Sequence, residues 1–493
     1  MTEPTPKPGD GKFSVATGVG WTTLGQFGVQ GINFASSLAL TLFLDPADFG
    51  LVGFGYAVLA VVDMLVDFGI GSAIVQRKEL GPRTVDVAFT INALLAVAAT
   101  SLIALLGGGL WLLGGDWRAD AVMLWWLAPS CLFTAAVTMP RALLTRALRL
   151  DAIAKVLLGS AVVRAVASLG AAALGSGPYA LVIGGYAGAV ALVLMLRRHE
   201  HSRMRWCWNT PERPELLAFG VRLTMFNLVN TVLMNADAFV LKPLLGSEAF
   251  GLFALARRLL FQPVEMAGNV ARSVLFPMLA RVQHRRARAR WLYLRADQLL
   301  VAGMLPLLTG AALLLDLLTG TLLSARWAPV AAIALAMLPV AALNLLLQNP
   351  GPLMIANGRA GSMLRWGTVR GLALLAAYLL SPWLLVEGTP LAMAGFLLLA
   401  LPLLLGDAAE ILGLPVRVLA ASLGALLPAA AAAAGAMFVV RQQTAGLGNA
   451  LVQLLLAGAA GAIAWLLVAV LTKAPFVAFL RRQWQRRRSH RGR

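Results

Sequence analysis

The sequence predicts an all-α polytopic membrane protein with about 14 transmembrane helices. The chain has 493 residues, of which 59% are hydrophobic and 13% are charged, whereas a soluble domain has about 25% charged residues. Apolar runs of about 20 residues, each long enough to cross the hydrocarbon core of a bilayer, recur from end to end. Basic residues cluster in alternate segments between these runs. These three observations together define the fold class.

The apolar runs give the following order of elements. Spans are predicted at 14–44, 50–76, 87–113, 121–140, 152–175, 178–196, 217–244, 250–280, 292–315, 328–348, 362–385, 389–405, 417–440 and 448–472. The polar, Pro-rich segment 1–12 has no small-residue cleavage site, so we interpret the first span as a retained helix. An even number of spans places both termini on the same side of the membrane.

The distribution of basic residues tests this topology. With both termini in the cytoplasm, most of the 41 Lys and Arg residues lie on the inner side, including the blocks at 281–295 and 473–493. The outer loops receive Arg118, Lys242, Arg326 and Arg441. This asymmetry follows the positive-inside rule. The net charge of +19 therefore reflects topology and contact with anionic membrane lipids, and predicts no nucleic-acid partner.

Two short segments repeat 201 residues apart. Residues 49–51 and 250–252 both read Phe-Gly-Leu, and each follows a polar turn on the predicted outer side. Parallel repeats related by an axis along the membrane normal are typical of transporters. We therefore predict two six-helix lobes related by a pseudo-two-fold axis. The predicted domains are a cytoplasmic leader (1–13), an N-lobe (14–205), a C-lobe (206–405), two further spans (406–472) and a basic cytoplasmic tail (473–493).

The eighth span, residues 250–280, contains a stripe of polar side chains. They recur at alternating steps of four and three, which places them on one face of a helix: Arg258, Gln262, Glu265, Asn269 and Arg272. A charged side chain at the bilayer centre costs about 2.5–3.5 kcal/mol even on the translocon scale. The stripe therefore faces either a water-filled cavity or a protein–protein seam.

Other spans also contain polar groups. We interpret the arginines and two amides as a cavity that binds an anionic headgroup through phosphate contacts: Arg258, Arg272, Arg164, Arg222, Gln262 and Asn269. The remaining groups are predicted to line the cavity and are candidates for ion coupling: Asp63, Asp67, Asp237, Glu265, Gln26, Gln30, Asn33, Asn227 and Asn230. In the alternative interpretation, helices are locked by ion pairs of Asp63 or Asp67 with Arg164, and of Glu265 with Arg258 or Arg272.

The sequence contains no catalytic signature. It has no Walker A motif, no H-E-x-x-H, no C-x-x-C and no G-x-S-x-G, so neither an enzyme nor a cofactor is predicted. His199, His201 and Cys207 are interpreted as an ordinary polar loop, and no metal site is predicted. The closely spaced glycines, such as Gly25 and Gly50, are interpreted as close helix contacts. Transport must then use an ion gradient, a substrate gradient or a partner.

Four segments resemble a known family. LVDFGIGSAIVQRKEL (65–80), MPRALLTRALRL (139–150), FPMLARVQ (276–283) and RWAPVAA (326–332) are similar to stretches of bacterial polysaccharide and lipopolysaccharide translocases. These proteins form the polysaccharide-transporter branch of the multidrug/oligosaccharidyl-lipid/polysaccharide exporter superfamily. The resemblance extends over nearly the whole chain to about residue 420.

The resemblance implies a central cavity between two lobes and alternating access by rocking. It also implies an undecaprenyl-diphosphate-linked oligosaccharide as the substrate, a bacterial inner-membrane location, and polysaccharide polymerase or export proteins as partners. The cationic cavity of such flippases corresponds best to Arg258 and Arg272, then to Arg164 and Arg222. Lys242 stands where relatives commonly have an arginine, so a bidentate phosphate contact is not expected there.

Two other functions remain open. A cation-coupled drug exporter of the same superfamily is one, although residues 14–44 contain no acid of the kind that such exporters often place in the first span. A non-transporting membrane scaffold for polysaccharide enzymes is the other.

Overall fold

The computed structural model describes residues 15–76, 80–200, 205–208, 224, 228–282, 284–322, 324–419, 427–444 and 450–471. Within these ranges the chain is helical, and no strand occurs in them. Eight helices in the described part are long and apolar enough to cross a membrane. These findings confirm the predicted all-α membrane class; the count of about 14 spans stays a prediction.

The chain divides into two compact units. Unit 1 comprises residues 1–43 and 58–228, and unit 2 comprises residues 44–57 and 229–493. Helix α2 contributes its first half to unit 2 and its second half to unit 1. The first eight helices are α1 (Val15–Leu40), α2 (Pro46–Asp67), α3 (Ile70–Gln76), α4 (Pro82–Leu113), α5 (Trp117–Leu127), α6 (Ser130–Arg146), α7 (Leu150–Ala173) and α8 (Tyr179–His199).

Small residues allow close packing in unit 1. A Cβ atom added to Gly25 of α1 would lie 2.8 Å from the Cβ of Ala154 on α7. One added to Gly184 of α8 would lie 2.8 Å from the backbone oxygen of Arg164. Because lipid is as apolar as a helix surface, helices in membranes associate through such close contacts between small residues. These glycines therefore serve helix packing.

Unit 2 contains the remaining helices. They are α9 (Ala236–Val282), α10 (Arg286–Leu322), α11 (Pro329–Leu346), α12 (Pro350–Ala356), α13 (Ala360–Leu379), α14 (Ser381–Leu412), α15 (Leu427–Thr444) and α16 (Ala450–Leu471). Helix α11 packs against α9, α10 and α14. Most of its apolar side chains are buried, among them Val330, Ile333 and Val340, whereas Leu335 is 50% exposed. Helix α11 is the core of this unit.

Three long helical stretches are broken by backbone in the left-handed region. Helices α2 and α3 are separated at Phe68 (φ +42°) and Gly69 (φ +63°). Helix α9 is interrupted at Gly246 (φ +87°), and α14 at Leu385 (φ +57°). Gly246 lies between the predicted seventh and eighth spans, and Leu385 ends the predicted eleventh, so these breaks separate consecutive spans. Glycine tolerates such a conformation without steric cost, but leucine does not.

The 201-residue repeat has a structural counterpart in unit 2. A Cβ atom on Gly50 would lie 1.8 Å from the carbonyl oxygen of Ser247, and one on Gly251 would lie 1.8 Å from the carbonyl oxygen of Pro46. The shift of 201 residues takes Gly50 to Gly251 and Pro46 to Ser247, so it converts one contact into the other. Reciprocal contacts of this kind are the signature of a two-fold relation. The repeat therefore relates the start of α2 to the segment of α9 that follows Gly246.

Polar contacts join segments that the predicted topology assigns to the same side. Arg326 forms an ion pair with Asp45, and both belong to predicted outer turns. On the predicted inner side, Arg359 pairs with Glu410 at 3.0 Å, and Arg149 Nη1 donates to the carbonyl of His199 at 3.1 Å. These contacts agree with the order of spans.

Candidate functional site

The predicted polar stripe lies on α9. Arg258 Nε donates to the side-chain oxygen of Gln262 at 3.4 Å, across four residues. Arg272 Nη2 donates to the side-chain oxygen of Asn269, across three residues. Hydrogen bonds at these spacings require one helix face. Arg258, Asn269 and Glu265 are exposed, whereas Gln262 and Arg272 are half-buried.

Arg272 is held by neutral groups. Its Nη1 donates to Oε1 of Gln348, just beyond the end of α11, at 2.6 Å. A Cβ atom on residue 268 would lie 2.3 Å from that Oε1, so Gly268 leaves the space that Gln348 occupies. Within the described ranges, Arg272 has no carboxylate at ion-pair distance. Its positive charge is therefore held in place and not neutralised locally.

A second arginine, Arg370 on α13, lies close to this group. Its Nη2 donates to the side-chain oxygen of Asn344 at 2.5 Å, and its Cζ lies 5.4 Å from the ring centroid of Trp366. Asn344 and Gln348 are four residues apart at the end of α11, so successive amides bind arginines from two different helices. Arg370 also interacts electrostatically with Arg272 and Glu265.

Arg370 is one of the basic residues that the predicted topology places on or near the inner side. Long arginine side chains near span ends often extend toward headgroups. Here the side chain turns into the unit instead. The available signal was the spacing of Trp366 and Arg370, four residues apart, which places an aromatic ring and a cation on one helix face.

A third arginine in unit 2 is neutralised. Arg257 forms an ion pair with Asp237, which is 5% exposed. Tyr378 interacts electrostatically with both groups of this pair. Asp237, predicted to line a cavity, thus has its charge compensated inside the protein. Of Arg257, Arg272 and Arg370, the first is therefore compensated by a carboxylate, whereas the other two donate to amides.

The acids of unit 1 have different partners. The hydroxyl of Thr134 donates to Asp63 Oδ1 at 3.2 Å, and the Cys131 thiol interacts with the same carboxylate. Asp67 is exposed and interacts electrostatically with Arg141. The alternative expectation, that Asp63 or Asp67 pairs with Arg164, is wrong. The acids on α2 face α6 instead, and a pattern along one helix does not reveal which neighbour it faces.

The second alternative pairing is also wrong. Among the residues that the structure describes, Glu265 forms no ion pair within 4.0 Å with Arg258 or Arg272. Glu265 interacts with Arg257, Arg272 and Arg370 at longer range. The exposed side chain of Arg164 lies instead against Gly188 of α8, where an added Cβ would be 3.1 Å from the arginine Nε.

The other predicted residues are dispersed. On α1, Gln26 is exposed and both Gln30 and Asn33 are half-buried. Asn230 faces α13, with its side-chain oxygen 3.6 Å from the Cβ position of Gly367. Arg222 and Asn227 lie outside the described residues. The described part of the chain contains no group of three metal-ligating side chains.

Taken together, these contacts make the arginines of unit 2 a candidate oxyanion site. Two guanidinium groups from α9 and α13 are fixed by amides, with donors in excess of acceptors. Guanidinium forks bind phosphate and carboxylate oxygens through charge-assisted hydrogen bonds. A cationic site inside a polytopic helical unit is typical of a membrane transporter for an anionic substrate.

The fold is that of a known transporter class. The chain is similar to a solved structure titled "Lipid II flippase MurJ, inward closed conformation", with a TM-score of 0.71, 12% identity, and coverage of 92% of this chain and 98% of that one. At this identity the likeness concerns the fold alone.

Residues 39–332 match the family model described as "Polysaccharide biosynthesis protein", and the chain belongs to this family. The resemblance to polysaccharide translocases of the multidrug/oligosaccharidyl-lipid/polysaccharide exporter superfamily is thereby confirmed.

Two curated relatives are similar over part of their length. The chain is 24% identical to the "Lipopolysaccharide biosynthesis protein WzxC" of Escherichia coli, over 54% of this chain and 54% of that protein. It is 22% identical to the "Succinoglycan biosynthesis transport protein ExoT" of Rhizobium meliloti, over 64% of each chain. The matches thus span between half and two thirds of these two relatives.

Proposed function

We propose that this protein flips a lipid-linked oligosaccharide precursor across the bacterial inner membrane by alternating access, for surface polysaccharide assembly. The observation behind the proposal is Arg272, a cation within a membrane helix whose hydrogen-bond partners among the described residues are Asn269 and Gln348. The family membership and the names of the relatives support the same process. The proposed substrate is an undecaprenyl-diphosphate-linked oligosaccharide.

The chemistry of this substrate matches an arginine site. Its diphosphate is the group with the highest cost of entry into hydrocarbon, since transfer of a charge into the bilayer is strongly unfavourable without a partner. Guanidinium groups lower that cost by replacing water as hydrogen-bond donors. Arg258 and Arg272 are the principal proposed ligands, and Arg164 and Arg222 are secondary ones. The flipped precursor then passes to polymerase or export proteins, and both termini remain in the cytoplasm.

The test uses Arg258→Gln and Arg272→Gln, separately and together, expressed in a host whose own gene is deleted. We expect normal membrane insertion, loss of surface polysaccharide and accumulation of the lipid-linked intermediate. Arg118→Gln is the matched control, because Arg118 lies over the ring of Trp111 in unit 1 and is not among the predicted cavity residues. Wild-type polysaccharide in the double variant would contradict the proposal.

The same strains separate the alternatives. Export of dyes by the wild-type protein, with surface polysaccharide unchanged on gene deletion, identifies a cation-coupled small-molecule exporter. Its candidate ion ligands are Asp63 and Asp67 in unit 1, of which Asp67 is exposed. Polysaccharide that disappears on deletion but persists in every arginine variant identifies a non-transporting scaffold.

A further inference from the structure

Two buried hydrogen-bond donors on α13 have no acceptor. They are the indole Nε1–H of Trp366 and the Nε–H of Arg370, and neither is bonded to any described residue. A buried donor left without an acceptor is unfavourable, and more so when it is charged. Both groups are donors only. The group that completes them must therefore be an acceptor.

The charges of Arg272 and Arg370 also indicate that an acceptor group completes this cluster. Arg272 and Arg370 repel each other, yet Gln348 and Asn344 fix both of them near the end of α11. Amide oxygens satisfy individual N–H groups but do not neutralise charge. Buried cations in proteins are normally paired with an anion. Two cations held together by neutral groups therefore form a site that is complete only when an anion binds.

Glu265 is the carboxylate that acts electrostatically on both arginines. Its side chain is exposed, and it makes no ion pair within 4.0 Å in the described part of the chain. Glu265 thus provides long-range compensation without occupying the donors. An anion that binds there would experience repulsion from Glu265 as well as attraction from the arginines.

We propose that Arg370, Trp366 and Arg272 form a phosphate-binding subsite in unit 2, which rests on the proposed function and assigns the diphosphate of the lipid carrier to these residues. The anion accepts hydrogen bonds from the Arg370 Nε–H and the Trp366 indole N–H, and its charge offsets both guanidinium groups. A tetrahedral phosphate offers acceptor oxygens in several directions, which suits donors from two helices. Glu265 weakens this binding and so favours release.

The experiment measures binding to the purified full-length protein in detergent by calorimetry, with inorganic pyrophosphate and farnesyl diphosphate as probes. Arg370→Gln should weaken the binding of both by tenfold or more, and Trp366→Phe by a few-fold. Glu265→Gln should tighten it by a few-fold, a gain that misfolding cannot produce. Arg359→Gln is the control, since its exposed ion pair with Glu410 lies outside the subsite.

Several outcomes would overturn the inference. Wild-type affinity in Arg370→Gln, with thermal unfolding unchanged, removes Arg370 from the site, and unchanged affinity in Glu265→Gln removes the counter-ion role. Glucuronate that binds more tightly than pyrophosphate would assign the site to acidic sugars instead of the phosphate. Failure of the proposed function is distinguishable, because it leaves pyrophosphate binding intact while the arginine variants retain surface polysaccharide.

Discussion

Units 1 and 2 satisfy their ionisable side chains in opposite ways. In unit 1 the half-buried acid Asp63 accepts a hydrogen bond from Thr134 and contacts Cys131, so an acceptor meets small neutral donors. In unit 2, Arg272 and Arg370 donate to amides and one donor of Arg370 remains unsatisfied. This difference supports the anion site that we propose in unit 2. An acid and an arginine in a membrane helix have a similar free-energy cost. The charged groups of the two units therefore differ in their hydrogen-bond partners and not in that cost.

The largest expected effect comes from breaking the ion pair between Arg257 and the buried Asp237 in unit 2. Asp237→Asn should lower the free energy of unfolding by about 3–5 kcal/mol, because it leaves the Arg257 guanidinium without its counter-ion. Thermal unfolding of the purified protein measures this loss. The double variant Asp237→Asn/Arg257→Gln should recover most of it, since no unpaired charge remains.

This variant also sharpens the contrast among the arginines. Arg258→Gln removes an exposed side chain from the same helix and should change stability by less than about 0.5 kcal/mol. If Asp237→Asn were equally mild, Arg257 would be no better compensated than Arg272. The distinction between a structural arginine and binding arginines would then fail.

The sequence predicted the scaffold better than the partners. Hydropathy predicted the all-α membrane class, and the polar turn at residues 246–248 marked the break that the structure places at Gly246. The Phe-Gly-Leu repeat anticipated the reciprocal contacts of Gly50 and Gly251. Each of these features depends on local composition or on a fixed shift along the chain, and either property can be read from the sequence alone.

Partners depend on how helices are rotated against one another, which a single sequence does not specify. The spacing of Asp63 and Asp67 established a shared face but not that this face meets Thr134 and Arg141. Likewise, Arg370 lies nine residues into a predicted span, where an arginine can extend to the headgroups or turn inward. The amides that decide between these outcomes, Asn344 and Gln348, belong to another helix.

A smaller effect is expected at Gly268. Gly268→Ala places a Cβ 2.3 Å from Gln348 Oε1, so the flexible end of Gln348 must move and its bond to Arg272 is lost. Hydrogen bonds to charged groups contribute about 1.5–3 kcal/mol. We expect the affinity for pyrophosphate to fall by about tenfold, which corresponds to about 1.4 kcal/mol.

The matched control for this variant is Gly303→Ala on α10, where no atom lies within 4 Å of the Cβ position. It should leave both stability and pyrophosphate affinity unchanged. Should Gly268→Ala also bind pyrophosphate with wild-type affinity, the position of Arg272 would not depend on Gln348. The amide would then be a packing contact only.

The smallest effect is expected at Asp63. In Asp63→Asn the amide oxygen still accepts the Thr134 hydrogen bond, so stability should change by less than about 1 kcal/mol and surface polysaccharide should remain near the wild-type amount. Thr134→Val is the comparison variant, because it removes the bond but keeps the carboxylate. Loss of polysaccharide in Asp63→Asn but not in Thr134→Val would show that the negative charge itself is required. Unit 1 would then contain the coupling-ion ligand, and transport would require both the acids of unit 1 and the arginines of unit 2.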